Sequence, residues 1–215
     1  MEREFGDIPK HALPLSQDGS DSLLGRIIQN ALSDFESVVI WASKVNASKI
    51  QDAIVETDQV TIKIDEVMSG PLGPAIRSLE NGERVFACAG DHFSTHSWKA
   101  MEAFHEKKMF CASILVAHSS PFNDAATFQV QDDGIISSWE RKSRSGTADL
   151  INVGCYIFDP TPVLQEIFSQ ISWHKEEKIF DSLIKMGLLG AYSSPEKGFN
   201  VNTVETYRSL IEHLE

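Results

Sequence analysis

The 215-residue chain is short of basic residues: Lys and Arg total 19 against 31 Asp and Glu, leaving a formal net charge of −12 and a sequence pI near 5.0. Proteins that bind phosphate backbones need surplus Lys and Arg, so this surplus of carboxylate excludes a general nucleic-acid binder and leaves room only for a local basic pocket. Cysteine is scarce too. Cys88, Cys111 and Cys155 are odd in number, widely spaced and set among apolar neighbours. That fits reduced, buried small hydrophobes better than disulfides or a zinc site, and it points to a cytoplasmic protein. No apolar run approaches the roughly 18 residues of a membrane span, and the opening Met-Glu-Arg-Glu-Phe-Gly-Asp has no signal-peptide pattern, so no membrane partner is expected. Internal repeats, low-complexity tracts and a Pro/Gly/Ser linker are missing as well. At about 150 residues per domain the length predicts one domain. With 42% hydrophobic and 23% charged residues, its core is large enough to fold without staples.

What the sequence does hold is a regular alternation of short apolar runs and amphipathic stretches. Asp21 or Ser22 offers an N-cap to a helix over residues 22–32, with Leu23, Ile27, Asn30 and Ala31 at helical spacing, and residues 38–41 follow as a continuous apolar strand. The logic repeats: helix 47–55 before strand 60–64, then short helix 74–79 before the fully apolar strand 85–89. Such alternation predicts parallel strands joined by helical crossovers. Residues 97–108 read as a helix with Trp98, Met101, Phe104 and His105 on one stripe, and 110–117 as another buried strand. Two strands around Asp132-Asp133-Gly134 then form a hairpin that adds antiparallel strands to the sheet. A strand over 150–158 follows, then a helix opened by Thr161 and Pro162, a helix over 177–186 stopped by Gly187, and a closing helix over 204–214.

Four places could carry chemistry. Gly90-Asp91-His92 ends an apolar strand, where ligands of open α/β sheets gather, so Asp91 reads either as a Mg²⁺ ligand or as a cap for the helix after it. Lys10, in Pro9-Lys10, reads either as a point charge for phosphate or as solvated surface. The loop Ser69-Gly70-Pro71-Leu72-Gly73-Pro74-Ala75 lets backbone approach a flat or anionic ligand, or is a plain turn; it has neither dinucleotide nor phosphate-loop spacing. In Gly198-Phe199-Asn200-Val201-Asn202-Thr203, Thr203 is a good N-cap with Thr206 at the capping-box position, and the two amides serve either the loop backbone or a ligand.

Taken in order, Pro9-Lys10, the Gly70–Ala75 loop, Gly90-Asp91, the run from Asp133 to Lys142, Asn152-Val153-Gly154 with the strand after it, and Phe199 to Thr203 resemble the sugar-1-phosphate nucleotidyltransferase family over nearly the whole chain. The resemblance implies a three-layer α/β/α sandwich of the nucleotide-diphospho-sugar transferase type, with a mostly parallel, mixed sheet. It implies transfer of a nucleoside monophosphate from a nucleoside triphosphate to a sugar 1-phosphate, with release of pyrophosphate and Mg²⁺ as cofactor. Carried over residue by residue, Lys10 contacts the triphosphate and Asp91 binds Mg²⁺. Gly70, Pro71, Leu72 and Gly73, with Gly90, receive the nucleotide. Lys142 holds the sugar phosphate, Arg141, Asn152 and Gly154 fall at the sugar pocket, and Asn200 takes the second metal position.

The chain departs from the pattern in three ways. The family's first strand and glycine-rich loop are represented only by Arg3 and Gly6, so residues 1–215 read as one N-terminally truncated domain, marginal in stability without a strand beside residues 38–41. A carboxylate is expected where Asn200 stands, and a glutamate where Arg141 stands, with Glu140 one place early. The resemblance therefore carries two alternatives: a catalytically weakened homologue that binds a nucleotide or sugar nucleotide in a regulatory or scaffold role, and a relative of the molybdenum-cofactor guanylyltransferases, which Gly70-Pro71-Leu72 and Asn200 to Thr203 also resemble.

Overall fold

Strands whose every side chain is apolar must be covered on both faces, and that requirement builds this molecule. The computed structural model describes residues 8–16, 19, 21–54, 57–66, 72–118, 126–140, 150–170 and 176–214. In chain order these form a 3₁₀ turn (Lys10–Ala12), α1 (Leu23–Leu32), β1 (Val38–Ala42), α2 (Ala47–Ala53), β2 (Val60–Ile64), α3 (Gly73–Leu79), β3 (Val85–Cys88), β4 (His92–Phe93), α4 (Trp98–Lys108) and β5 (Ala112–His118). There follow β6 (Thr127–Val130), β7 (Ile136–Glu140), β8 (Leu150–Phe158), α5 (Pro162–Gln170), α6 (Glu176–Lys185), β9 (Leu189–Ser193), β10 (Phe199–Asn200) and α7 (Val204–Leu214). None of the described helices is long and apolar enough to cross a membrane.

The central sheet runs β7-β6-β8-β5-β9, with β3 also on β8. Side chains of β5 and β8 alternate between two cores. Ile114, Val116, Tyr156 and Phe158 pack against α3, α5 and α6, whereas Leu115, Ala117, Val153, Cys155 and Ile157 pack against Trp98 and Met101 of α4. Helices on both faces make the three layers expected, and each fully buried Ile, Leu or Val in them contributes roughly 1.5–3 kcal/mol. A second sheet pairs β1 with β2 in parallel through the α2 crossover, as the alternation predicted, and its inner face joins Leu24, Ile28 and Ile50.

The sheet is mixed, but less parallel than expected. β3 and β5 point the same way without touching, because β8 enters between them antiparallel to both. Among the described strands only β1–β2 and β5–β9 pair in parallel. A run buried on both faces looks the same in either direction, so hydrophobicity alone could not place β8. The α1 stripe is also rotated from its expected position: Leu23, Leu24 and Ile28 are the buried residues, not Asn30 or Ala31. The thiols divide as well, for Cys111 and Cys155 are buried as expected while Cys88 is exposed.

Local chemistry fixes the element ends. Ser22 and Ser97 cap α1 and α4 by accepting from Gly25 N–H and Ala100 N–H, so Asp91 is not needed as the cap of α4. Thr161 Oγ1 accepts from Leu164 N–H at the start of α5. Thr203 and Thr206 cap α7 reciprocally, each hydroxyl accepting from the other's backbone N–H. The β6–β7 hairpin closes where the sequence predicted it, with Asp133 Oδ1 accepting from Ile135 N–H.

Candidate active site

Three segments far apart in the chain meet at the carboxyl end of β3. Leaving β3, the backbone passes Gly90 and Asp91 into β4, which pairs antiparallel with β10 so that His92 lies opposite Asn200. Val201 N–H, just past β10, then donates to the Asp91 carbonyl at 2.9 Å, holding the end of that strand against the Asp91 backbone. Under this pair lies a small core of Leu13, Leu23, Phe93, Phe199, Val201 and Leu210. Leu13 ties the N-terminal turn into that core, and Tyr207 Oη donates to the Pro14 carbonyl, so the turn bearing Lys10 and His11 is fastened beside Asp91.

The Asp91 carboxylate has a cation on one oxygen and an imidazole on the other. Lys10 Nζ lies 3.5 Å from Oδ2, and His92 Nδ1 shares a hydrogen bond with Oδ1 at 2.8 Å. Burial alone would raise the Asp91 pKa, but the hydrogen bond and charge of His92, with those of Lys10, pull it down to about 2. Asp91 is therefore an anion throughout the neutral range. Lys10 also donates to Asn202 Oδ1, and Asn202 N–H donates to the Asn200 carbonyl at 2.9 Å. His11 beside it is held below its usual pKa, first by burial and then by Lys10, against the opposing pull of Asp91. Two buried polar atoms here have no hydrogen-bond partner among the described residues: His11 Nε2 and Asn200 Oδ1. The ionised Asp91 carboxylate and the orphaned Asn200 amide oxygen are carried by the turn into β4 and by the strand paired with it. Both are oxygen donors of the kind Mg²⁺ accepts, since that ion takes one or two protein oxygens and completes its shell with phosphate and water.

The other expected site residues divide. Asn152 is buried and spends its amide inside the fold: Gly154 N–H donates to its Oδ1 at 2.7 Å and its Nδ2 donates to Tyr156 Oη at 2.9 Å. Gly154 stands against the site itself, since a Cβ built there would come within 2.8 Å of His92 Cγ. Gly90 has more room, the nearest atoms to such a Cβ being 3.7 and 3.9 Å away. Leu72 is 1% exposed and packs into the main core at the start of α3, so its side chain does not reach solvent; Gly73 is the buried first residue of that helix. Gly70, Pro71, Arg141 and Lys142 lie outside the described residues. His11 and His92 were not selected as site residues from the sequence, although they adjoin Lys10 and Asp91, and that adjacency was the available signal. The Asn202 amide, read as serving either the loop backbone or a ligand, has its oxygen accepting from Lys10.

A second polar cluster imitates a hydrolase. Ser113 Oγ shares a 2.8 Å hydrogen bond with His105 Nδ1, and His105 Nε2 lies 3.1 Å from Asp159 Oδ2. Both Ser113 and His105 are fully buried, so no substrate reaches the hydroxyl. The cluster is a clamp: Arg84, its pKa raised first by its hydrogen bonds to Asp159, joins that residue to Glu102 and Glu106 of α4.

No family model and no curated protein matches the sequence. Solved structures do match in fold. A protein assigned as a glucose-1-phosphate thymidylyltransferase from Bacillus anthracis, in complex with sucrose, superposes with a TM-score of 0.73 at 12% identity, over 95% of this chain and 85% of that one. HddC from Yersinia pseudotuberculosis gives 0.73 at 18% identity over 98% and 92%. UTP-bound UGPase from Acinetobacter baumannii gives 0.69 at 12% identity over 96% and 86%. This chain thus has the fold of sugar-1-phosphate nucleotidyltransferases, as its motif order implied.

Proposed function

We propose that this chain binds a nucleoside triphosphate against Lys10 and Asp91 and transfers its nucleoside monophosphate to a sugar 1-phosphate. The observation that carries the reading is the pairing of the Lys10 ammonium with the ionised Asp91 carboxylate at one strand end, with an orphaned amide oxygen on the neighbouring strand. In this reaction an oxygen of the sugar phosphate attacks the α-phosphorus, the bond to the bridging oxygen of the β-phosphate breaks, and pyrophosphate leaves. Such transfer needs positioning and charge neutralisation more than covalent help. Lys10, half exposed, would exchange its contacts with Asp91 and Asn202 for triphosphate oxygens. Asp91 and Asn200 would hold Mg²⁺, which when bound neutralises the triphosphate charge. Lys142 and Arg141 would meet the sugar phosphate, a role that rests on the family resemblance. Gly90 would border the nucleotide, whereas the nucleotide role of the Gly70 to Gly73 loop rests on the family resemblance alone.

One observation favours a weaker second reading. Asn200 brings a neutral amide where a carboxylate would bind a hard cation better. A homologue that binds the nucleotide and turns it over poorly, or not at all, is the alternative. Incubation with each nucleoside triphosphate, Mg²⁺ and a panel of sugar 1-phosphates separates the two, with pyrophosphate release and thermal shift read in parallel. Release with one pair of substrates supports transfer, and a thermal shift without release supports the binding protein. Neither response with any nucleotide overturns both.

A further inference from the structure

Outside the candidate site, the described residues bring two thiols together. Cys88 ends β3 and stands opposite Cys155 of β8 in the antiparallel register. Ala89 N–H donates to the Gly154 carbonyl at 2.8 Å. That bond makes Ala89 and Gly154 the hydrogen-bonded pair, and so Cys88 and Cys155 occupy a non-hydrogen-bonded position. At such positions opposed Cα atoms approach to about 4.5 Å and the side chains lie closest, a spacing within the range that disulfides span. The sulfurs are 3.1 Å apart, and both thiols are free.

The two differ in exposure. Cys88 is open to solvent, whereas Cys155 is 2% exposed and its thiol pKa is raised well above the usual value, first by burial and then by its neighbour Cys88. Cys111 is buried elsewhere, its sulfur accepting from Thr161 Oγ1 at 3.4 Å. An oxidant in solution therefore meets Cys88 first, with Cys155 waiting behind it.

We propose that Cys88 and Cys155 form a reversible thiol–disulfide pair, in which Cys88 is the thiol that a hydroperoxide oxidises and Cys155 the thiol that resolves it. The chemistry balances. The Cys88 sulfur, having released its proton, attacks a peroxide oxygen; the O–O bond breaks, and the departing hydroxide takes that proton to become water. Cys88 is now a sulfenic acid. The Cys155 sulfur attacks the Cys88 sulfur, the S–O bond breaks, and hydroxide leaves with the Cys155 proton as a second water. Two thiols lose two electrons and one hydrogen peroxide is reduced to two waters. A thiol reductant reverses the bond by exchange. The bond would lie three positions before Asp91 and one position after Gly154, on the two strands that support the candidate site.

The test treats the fully reduced chain with stoichiometric hydrogen peroxide, denatures it, alkylates the remaining thiols and maps the peptides by mass. One alkylated cysteine of the three, Cys111, is expected, together with a linked peptide joining Cys88 to Cys155 and recovery of all three thiols after reductant. In Cys155→Ser, Cys88 should instead stop at a sulfenic acid that a dione reagent traps. The proposal is overturned if all three thiols survive peroxide. It is equally overturned if Cys88 proceeds to sulfinic acid with Cys155 still free, or if the linkage joins two chains.

Discussion

Gly154 ties the fold to the candidate site, and adding one methyl group there measures how strongly. Its φ of +69° strains any L side chain, and a Cβ would come within 2.8 Å of His92 Cγ and 3.0 Å of both Ala89 Cβ and His92 Nδ1. The backbone conformation costs a non-glycine residue roughly 1–2 kcal/mol, and forcing a methyl into filled space adds roughly 1–3 kcal/mol. Gly154→Ala should therefore destabilise the chain by roughly 2–5 kcal/mol. Gly187→Ala isolates the first part, since Gly187 has φ +67° with nothing within 4 Å of the added Cβ. At roughly 2–4 °C per kcal/mol for a chain of this size, the two variants should melt several degrees apart in calorimetry. The clash also has an address. A displaced His92 loosens its 2.8 Å hydrogen bond to Asp91, so the Asp91 carboxyl should titrate above its value of about 2, read by carbon-detected NMR. Equal melting of the two variants, with Asp91 titrating unchanged, would refute the reasoning.

Burial against Trp98 lowers the His96 pKa from 6.5 to about 4, despite opposing contributions from Ser94 and Asp34. The unfolded chain then takes up the proton first, so stability is full above pH 6.5 and falls as pH drops to about 4, by at most roughly 3 kcal/mol at 1.36 kcal/mol per pKa unit; denaturant titrations of His96→Gln across that window should show a flatter slope. Asp91 acts in a lower window, because its stabilisation is present above pH 3.8 and is lost as pH falls through about 2. Asn200→Asp should strengthen Mg²⁺ binding by turning an orphaned amide oxygen into a carboxylate, and an unchanged isothermal Mg²⁺ titration in the folded variant would remove Asn200 from the site. Thr203→Ala breaks the reciprocal cap of α7 and should cost about 1 kcal/mol in urea unfolding, whereas Thr203→Ser should recover most of it.

The residues that revealed themselves in the sequence did so because each obeys a local rule. Apolar runs gave β1, β3, β5 and β8, capping hydroxyls gave the starts of α1, α5 and α7, and an Asp-Asp-Gly turn gave the β6–β7 hairpin. What stayed hidden depends on partners distant in the chain. β4 and β10 have two residues each, too few for any periodicity, yet their register sets Asn200 opposite His92. The insertion of β8 between β3 and β5 is likewise a matter of topology, and it alone brings Cys88 beside Cys155 across 67 positions. Asn152 shows the same limit from the other side. An amide in a candidate pocket reads identically whether it faces a ligand or its own backbone, and only the fold reveals that its oxygen holds Gly154 N–H. Charge alone selects no pair among 19 basic and 31 acidic residues, so it is the family resemblance and not any local rule that places Lys10 and Asp91, 81 positions apart, in one site. Their separation is 3.5 Å, with 45% and 29% of the two side chains exposed, where an ion pair is worth little to stability. A contact so weak costs the fold little to open, which is what the proposed transfer of Lys10 from Asp91 to a triphosphate oxygen requires.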